Sequence, residues 1–406
     1  MKYIVMLGDG MADYSLEELG GKTPLQAAVK PNMDYLAQHG TVGMVKTVPD
    51  GMPPQSDTAN LSVMGYDPLV YYTGRSPLEA VSMGIELGAA DLAFRCNLVC
   101  ISEEENYEDA TMIDYSSDEI STEESTVLIN DLNEVFKTAK LNLYPGISYR
   151  HCLVLKDEKG GAKLTPPHDI TGKPVREYLP AGAHAEVLYD IMRRSHEILK
   201  KHPINIARKE RGLRPANSCW FWGEGTKPAV SPFYEKYGVK GGVVSAVDLI
   251  KGIAICTGMK SIDVPGTTGN VDTDFAAKGK AAIDFLLSGG DFIYVHIEAP
   301  DESGHHAAIE DKIFSIEKID SDILGPIMEA LKAAGEDFSV MITPDHPTPI
   351  EIQTHSREEV PFVIYRTTGG EVNGAESYDE EQAKATGYYV DKGCKLMNLL
   401  VKNELS

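Results

Sequence analysis

The 406-residue chain lacks any unbroken apolar run of 18 residues or more, and so lacks a helix-length segment able to cross a bilayer. It has no Cys-x-x-Cys pair. Its six cysteines (96, 100, 152, 219, 256 and 394) are scattered, and Cys96 and Cys100 both lie in an apolar, strand-like run. That pattern excludes a zinc-thiolate site or a disulfide framework and reads as buried thiols in a reducing compartment. Positive charge is also scarce: 38 Lys and Arg face 61 Asp and Glu, a formal net charge of −23. Nucleic acid and anionic membranes are thereby excluded as partners.

The deficit is uneven. No Lys or Arg occurs between Cys96 and Phe136, and Glu103 to Glu134 holds twelve carboxylates. From Lys140 to Lys240 the balance reverses, with 18 Lys and Arg against 10 Asp and Glu. A basic middle third in an acidic chain either holds a small anion or solvates helix faces. The start, Met1-Lys2 followed by Tyr3-Ile4-Val5-Met6-Leu7 and Gly8-Asp9-Gly10, is too short for a signal peptide and lacks a small-residue cleavage site. The expectation is a cytoplasmic protein with residues 3–7 as its first strand.

An apolar fraction of 42% supplies an ordinary globular core, and the length predicts two domains. Leu25 to His39 has helical periodicity and Thr41 to Val48 alternates like a strand. Gln55-Ser56-Asp57-Thr58 opens an apolar helix over Ala59–Met64, with Ser56 and Asp57 where N-caps are preferred. Towards the C-terminus the pattern predicts a strand over 291–297, a long helix over 309–334, strands over 338–343 and 360–365, and a closing helix over 384–401. The order is that of a largely parallel, two-sided sheet. The middle holds short strand candidates and a helix over 185–201.

The candidate metal ligands lie only before position 60 or after position 300. Asp9 follows the first strand. Asp301 and His305 follow strand 291–297, Asp345 and His346 follow strand 338–343, and His355 comes ten residues past Asp345. Open α/β sheets bind ligands at the carboxyl ends of their strands, and mixed carboxylate and imidazole ligands hold catalytic divalent cations. Singly, each of these residues is a cap or a surface group; together with Ser56, a candidate nucleophile, they form a set. A first domain split in sequence (1–90 and 260–406) with a second inserted over 91–259 is therefore expected.

These residues carry a family resemblance that runs essentially end to end. Met6-Leu7-Gly8-Asp9-Gly10-Met11, Pro54-Gln55-Ser56-Asp57-Thr58-Ala59-Asn60-Leu61 and Gly65-Tyr66-Asp67-Pro68 are followed by Ser148-Tyr149-Arg150-His151 and Thr165-Pro166-Pro167-His168-Asp169. Ala299-Pro300-Asp301-Glu302-Ser303-Gly304-His305 and Pro344-Asp345-His346 complete the series. The chain resembles cofactor-independent phosphoglycerate mutases, that is, 2,3-bisphosphoglycerate-independent ones, of the archaeal-type branch in the alkaline-phosphatase-like superfamily.

The resemblance implies an α/β fold: an alkaline-phosphatase-like core with a largely parallel sheet flanked by helices, and an inserted smaller α/β cap domain. It implies two divalent metal ions, Mn²⁺ or Zn²⁺ in preference to Mg²⁺, and no 2,3-bisphosphoglycerate. One metal would take Asp301, His305 and His355; the other would take Asp9, Ser56, Asp345 and His346. Ser56 would be the residue phosphorylated in turnover, and Arg150, His151, His168 and Asp169 would hold a small phosphorylated substrate. The implied activity is an isomerase interconverting 3- and 2-phosphoglycerate in glycolysis and gluconeogenesis. Two alternatives share the same phosphate-handling half: a homoserine-directed phosphotransferase and a phosphatase. A sulfatase is disfavoured, because no Cys/Ser-x-Pro-x-Arg element occurs.

Overall fold

A computed structural model describes residues 1–405. Its strands, in chain order, are β1 (Lys2–Gly8), β2 (Thr41–Val45), β3 (Leu92–Ile101), β4 (Met112–Asp114), β5 (Leu141–Tyr144), β6 (Arg150–Leu155), β7 (Ala162–Lys163), β8 (Ala181–Gly182), β9 (Ser218–Thr226), β10 (Gly241–Val244), β11 (Lys260–Ile262), β12 (Phe292–Ile297), β13 (Phe338–Thr343), β14 (Val360–Arg366) and β15 (Tyr389–Val390). Among the described residues no helix is long and apolar enough to cross a membrane.

The chain forms two compact units, one of Met1–Tyr72 with residues from Val230 onward and one of Thr73–Ala229. The expected divisions at 90/91 and 259/260 lie elsewhere for local reasons. The Ser76–Ser82 helix packs on β3 and β9, so residues 73–90 belong with the second unit. β10 and β11 pair beside β12, so residues 230–259 belong with the first.

The first unit is built on an eight-stranded sheet in the order β11-β10-β12-β1-β13-β14-β2-β15. β1 lies parallel between β12 and β13, with Leu7 opposite both His296 and Thr343. β14 runs antiparallel to both neighbours. Every residue of β12 and β13 is buried, as expected of near-continuous apolar strands covered by helices on both faces. Ile4, Met6, Val295, Val340 and Ile342 meet helix residues Ile316, Ile323, Ile327 and Leu331 in one core.

Three helix expectations required correction. The helix expected over 25–39 is two, Pro24–Ala27 and Pro31–Gln38, because Pro31 removes a backbone donor and forces Lys30 out of helical geometry. The long 309–334 helix holds in length but passes through a wide π-turn over Ile319–Leu324 ahead of Gly325-Pro326. The closing helix is interrupted: Glu380–Ala385 ends before Gly387 at φ +68°, β15 intervenes, and Leu396–Lys402 follows.

The second unit carries an antiparallel sheet, β4-β3-β6-β5 with β9 on the other edge of β3. Leu92, Phe94, Cys96 and Leu98 of β3 pack against the Thr122–Phe136 and Ala185–Leu199 helices, through Leu128, Leu132, Leu188 and Met192. The acidic stretch thus contains a helix whose apolar stripe is core and whose carboxylates face outward. The four cysteines of this unit are buried and unpaired.

Candidate active site

The carboxyl ends of β12, β1 and β13 deliver the ligand-type residues of the first unit. Asp9 is the first residue after β1, and its backbone N–H is fixed to the Ile297 carbonyl at 2.9 Å. Asp301 and His305 lie one turn apart on the Ala299–His305 helix that follows β12. Asp345 and His346 follow β13, and the loop beyond them brings back His355. His346 Nε2 lies 3.3 Å from Asp345, 3.6 Å from Asp9 Oδ1 and 3.3 Å from Ser56 Oγ. Asp301 lies 3.2 Å from His305 Nε2 and 3.3 Å from His355 Nε2, and those two nitrogens are 3.0 Å apart. The rings of His346 and His355 stack at 3.9 Å. All seven expected residues therefore converge.

Ser56 is not the N-cap. Gln55 holds that position, and Ser56 is the first residue of the Ser56–Val63 helix, its side chain making no capping bond. The hydroxyl is left to face His346, beside first-turn N–H groups that have no intrahelical partner. Asp57 is not a cap either; its buried carboxylate accepts from the Thr58 N–H and the Tyr72 hydroxyl, both at 2.7 Å.

The donor set calls for positive charge. Burial, then the charges of Asp345 and Asp301, push the Asp9 carboxyl well above its usual range. Asp9 Oδ1 is buried with no hydrogen-bond partner. The hydrogen bond to Asp301, outweighing desolvation, carries His305 up to about 9. Ligand atoms of Asp9, Asp345 and His346, and of Asp301, His346 and His355, form two groups each within 4.8 Å. Three carboxylates and three imidazoles converging on an unsatisfied buried oxygen fit divalent cations in oxygen and nitrogen coordination.

Outer partners aim these groups. The Nδ1 of His305 faces the Gln353 carbonyl at 3.0 Å and that of His355 the Pro54 carbonyl at 2.7 Å, which turns both Nε2 atoms inward. Three partners were not anticipated. His296 sits 2.9 Å from Asp9 Oδ2 and 3.3 Å from the Ser245 hydroxyl. Asn60 donates to Asp345 at 2.8 Å and to the Ser56 carbonyl at 2.9 Å, and accepts from the Tyr294 hydroxyl at 2.6 Å. Thr348 donates a short hydrogen bond to Asp301, and its carbonyl accepts from Lys312 of the buried Lys312–Asp13 pair. A signal existed for His296, a polar residue inside an otherwise apolar strand, and for Asn60, one helical turn from Ser56. Gly10, at φ +61°, is required here: a Cβ would stand 2.6 Å from Asp301 Oδ1 and 2.5 Å from Thr348 Oγ1.

In the second unit Arg150 is exposed at the start of β6, 5.6 Å from the Tyr149 ring. The exposed pair His168 and Asp169 lie 3.7 Å apart, and the His168 ring is 5.3 Å from that of Trp222. His151 departs from expectation. Strand alternation sends it to the face opposite Arg150, where it is buried, accepts from the Gly146 N–H at 3.0 Å and keeps an unpartnered Nε2. Desolvation, then the Arg150 charge, lowers it to about 3, so it is neutral.

A largely parallel sheet, beside whose strand ends a serine, carboxylates and imidazoles gather, defines an α/β enzyme that uses a divalent metal. Known proteins agree. The family model for 2,3-bisphosphoglycerate-independent phosphoglycerate mutase matches residues 37–205. The enzyme of that name from Methanosarcina barkeri is 49% identical over 403 residues, covering 99% of this chain and all of the relative. The probable one of Geobacter sulfurreducens is 47% identical over 401 residues, with the same coverage of both. Among solved structures, the PH0037 protein of Pyrococcus horikoshii superposes with a TM-score of 0.82 at 30% identity, covering 99% of this chain and 96% of that one. The cofactor-independent phosphoglycerate mutase of Thermoplasma acidophilum gives 0.69 at 27% identity, covering 99% and 100%. The chain belongs to the 2,3-bisphosphoglycerate-independent phosphoglycerate mutase family, archaeal type.

Proposed function

We propose that this chain interconverts 3-phosphoglycerate and 2-phosphoglycerate through a phosphoserine on Ser56. The observation that carries the reading is the Ser56 hydroxyl, free of capping duty, 3.3 Å from His346 within the carboxylate–imidazole cluster. Asp301, His305 and His355 would hold one divalent cation, and Asp9, Ser56, Asp345 and His346 a second. Mn²⁺ or Zn²⁺ suits three imidazoles better than Mg²⁺; bound there, such ions supply charge neutralisation for phosphoryl oxygens and a lowered pKa for the serine hydroxyl.

The Ser56 hydroxyl gives up its proton and its oxygen attacks phosphorus; a new P–O bond forms and the ester bond to the glycerate oxygen breaks, that oxygen taking up a proton in exchange for the one the serine lost. Asn60, bonded to both the Ser56 carbonyl and Asp345, keeps nucleophile and carboxylate in register. In the return step the other glycerate hydroxyl loses its proton, its oxygen forms a bond to phosphorus, the Ser56 O–P bond breaks and the serine oxygen takes up a proton. His168 and Asp169 are the assigned proton acceptors and Arg150 the assigned anion contact. Desolvation, helped by the charges of Arg95 and Arg75 and opposed by that of Asp169, holds His168 below its ordinary pKa, which suits a base. His151 is withdrawn from the substrate-holding set because it is buried on the other face of β6. Family membership favours the mutase over the homoserine and phosphatase alternatives.

Ser56→Ala tests the covalent route. It should abolish interconversion in a coupled assay while leaving circular dichroism and bound metal unchanged. Retained turnover by that variant sinks the phosphoserine, and release of inorganic phosphate faster than isomerisation by the unsubstituted chain would favour the phosphatase.

A further inference from the structure

The Thr348 hydroxyl touches one member of each cation set. Thr348 follows Asp345 and His346 on the loop after β13 and is fully buried. Its Oγ1 donates a short hydrogen bond to Asp301 Oδ1 and lies 3.3 Å from His346 Nδ1. The three segments that carry most of the ligand-type residues close round it. Its N–H donates to the carbonyl of Ala12, three residues past Asp9, at 3.3 Å, and Pro347 bridges to Met11 and Ala12. Its carbonyl accepts from Lys312 Nζ at 2.8 Å, and the same buried ammonium pairs with Asp13 at 2.6 Å. Asp13 in turn accepts from the Ile350 N–H at 3.2 Å, two residues further along the loop. A Cβ at Gly10 would meet the Thr348 hydroxyl, and one at Gly304 would stand 2.8 Å from its Cγ2. Packing from two glycines and a buried ion pair thus leave this side chain no room to turn away.

A hydroxyl has one proton to give and lone pairs to receive with. Asp301, as a carboxylate, only accepts, so it takes that proton. The contact with His346 is then satisfied only when Nδ1 carries the imidazole proton. His346 Nε2 is left as a bare lone pair, 3.3 Å from Asp345 Oδ2, 3.6 Å from Asp9 Oδ1 and 3.3 Å from Ser56 Oγ. A lone pair facing two carboxylates is answered by a cation, whereas the opposite tautomer would fill that place with an N–H. We propose that Thr348 is a positioning residue of the phosphoryl-transfer site: its single hydroxyl fixes Asp301 of one cation set and the Nδ1–H tautomer of His346 in the other. Each set thereby receives a correctly turned ligand from the same group. The effect on cations rests on the two-cation reading of the site; the tautomer does not.

The test uses the full chain and needs no turnover. In the metal-free parent at neutral to mildly alkaline pH, imidazole ¹⁵N shifts, assigned by comparison with His346→Gln, should show His346 as the Nδ1–H tautomer. Finding the Nε2–H tautomer overturns the inference. Mn²⁺ titration followed by electron paramagnetic resonance then compares the parent with Thr348→Val, which keeps the shape and removes the hydroxyl, and Thr348→Ser, which returns it. Thr348→Val should bind Mn²⁺ about tenfold or more weakly at both sites, and Thr348→Ser should stay within about threefold of the parent, as for loss and rescue of an outer-shell partner. Equal losses in the two variants overturn the role of the hydroxyl, because a merely structural defect would not be rescued by serine. Undiminished Mn²⁺ affinity in Thr348→Val overturns it as well. If Thr348→Val does not fold, Thr348→Ala is read in the same way, and the tautomer of the parent stands as the independent measurement. A parent that binds no Mn²⁺ removes the two-cation reading, and the tautomer still decides for or against Thr348. A parent that binds Mn²⁺ and isomerises, beside a Thr348→Val variant that binds Mn²⁺ equally, removes this inference alone.

Discussion

At His151 a single imidazole is forced to stay neutral. Burial and the Arg150 charge take it down to about 3, whereas in the unfolded chain it titrates near 6.5. Above about 6.5 both states hold the neutral ring and its contribution is fully present. As pH falls from about 6.5 towards about 3, the unfolded chain binds a proton that the folded chain refuses. Stability should therefore fall, by about 1.4 kcal/mol per pH unit at most. His196 and His296, also lowered by burial, steepen the same limb. The difference between the parent and His151→Gln isolates this residue: urea midpoints at pH 7, 6, 5 and 4 should decline less in the variant. Parallel declines would mean that His151 accepts its proton in the folded state.

Among the elements, the Ala299–His305 helix and the loop over 345–355 determine whether the ligand atoms meet. They touch at Gly304, where a Cβ would stand 2.4 Å from the Thr348 carbonyl oxygen. That carbonyl is also held by the buried Lys312, so it has little room to move. Gly304→Ala should push the loop away from Asp301. A stability loss of about 1–3 kcal/mol is expected from overpacking, and Mn²⁺ affinity should drop by tenfold or more, as for disturbed outer-shell partners. Denaturant melts and metal titration of the same preparation measure both. Unchanged metal affinity would mean that the helix and loop are not coupled through Thr348.

For the whole molecule, the consequence of concentrating carboxylates at the strand ends is dependence on a cation. A ligand that binds only the folded chain raises stability by RT ln(1 + [L]/Kd), about 2.7 kcal/mol at a hundredfold excess over Kd. Removal of metal with a chelator should lower the melting temperature and abolish isomerisation, and Mn²⁺ should restore both. A melting temperature indifferent to chelator would show that Asp9, Asp345 and Asp301 coexist without an ion. The net charge of −23 adds self-repulsion throughout, so added neutral salt should recover part of the lost stability but none of the activity.

Much of this was written locally in the chain. The runs of β1, β12 and β13 are buried strands because they are mostly apolar, with His296, Ser339 and Thr343 as buried polar exceptions, and the residues just past them are ligand-type because strand ends are where an open sheet exposes side chains. That logic needed only sequence for Asp9, Asp301, His305, Asp345 and His346; Ser56, at a helix start, and His355, ahead of β14, joined the set through the family resemblance. Proline and glycine punctuation at Pro31, Gly387 and Gly393 was equally visible, although the helix pattern across it was the stronger signal and misled.

What only the tertiary structure decided is which side chains complete one another. Strand order put β1 between β12 and β13, so that residues some 290 positions apart in the chain share hydrogen bonds, as Ser56 and His346 do. Strand alternation separated His151 from Arg150, although they are adjacent in sequence, and joined Arg95 to Arg75 through Glu79. A local pattern fixes which face a residue can take. Whether its charge is answered there depends on partners brought in by the fold, and for that reason the unanswered Arg95 Nε and Asp9 Oδ1 could be found only in three dimensions.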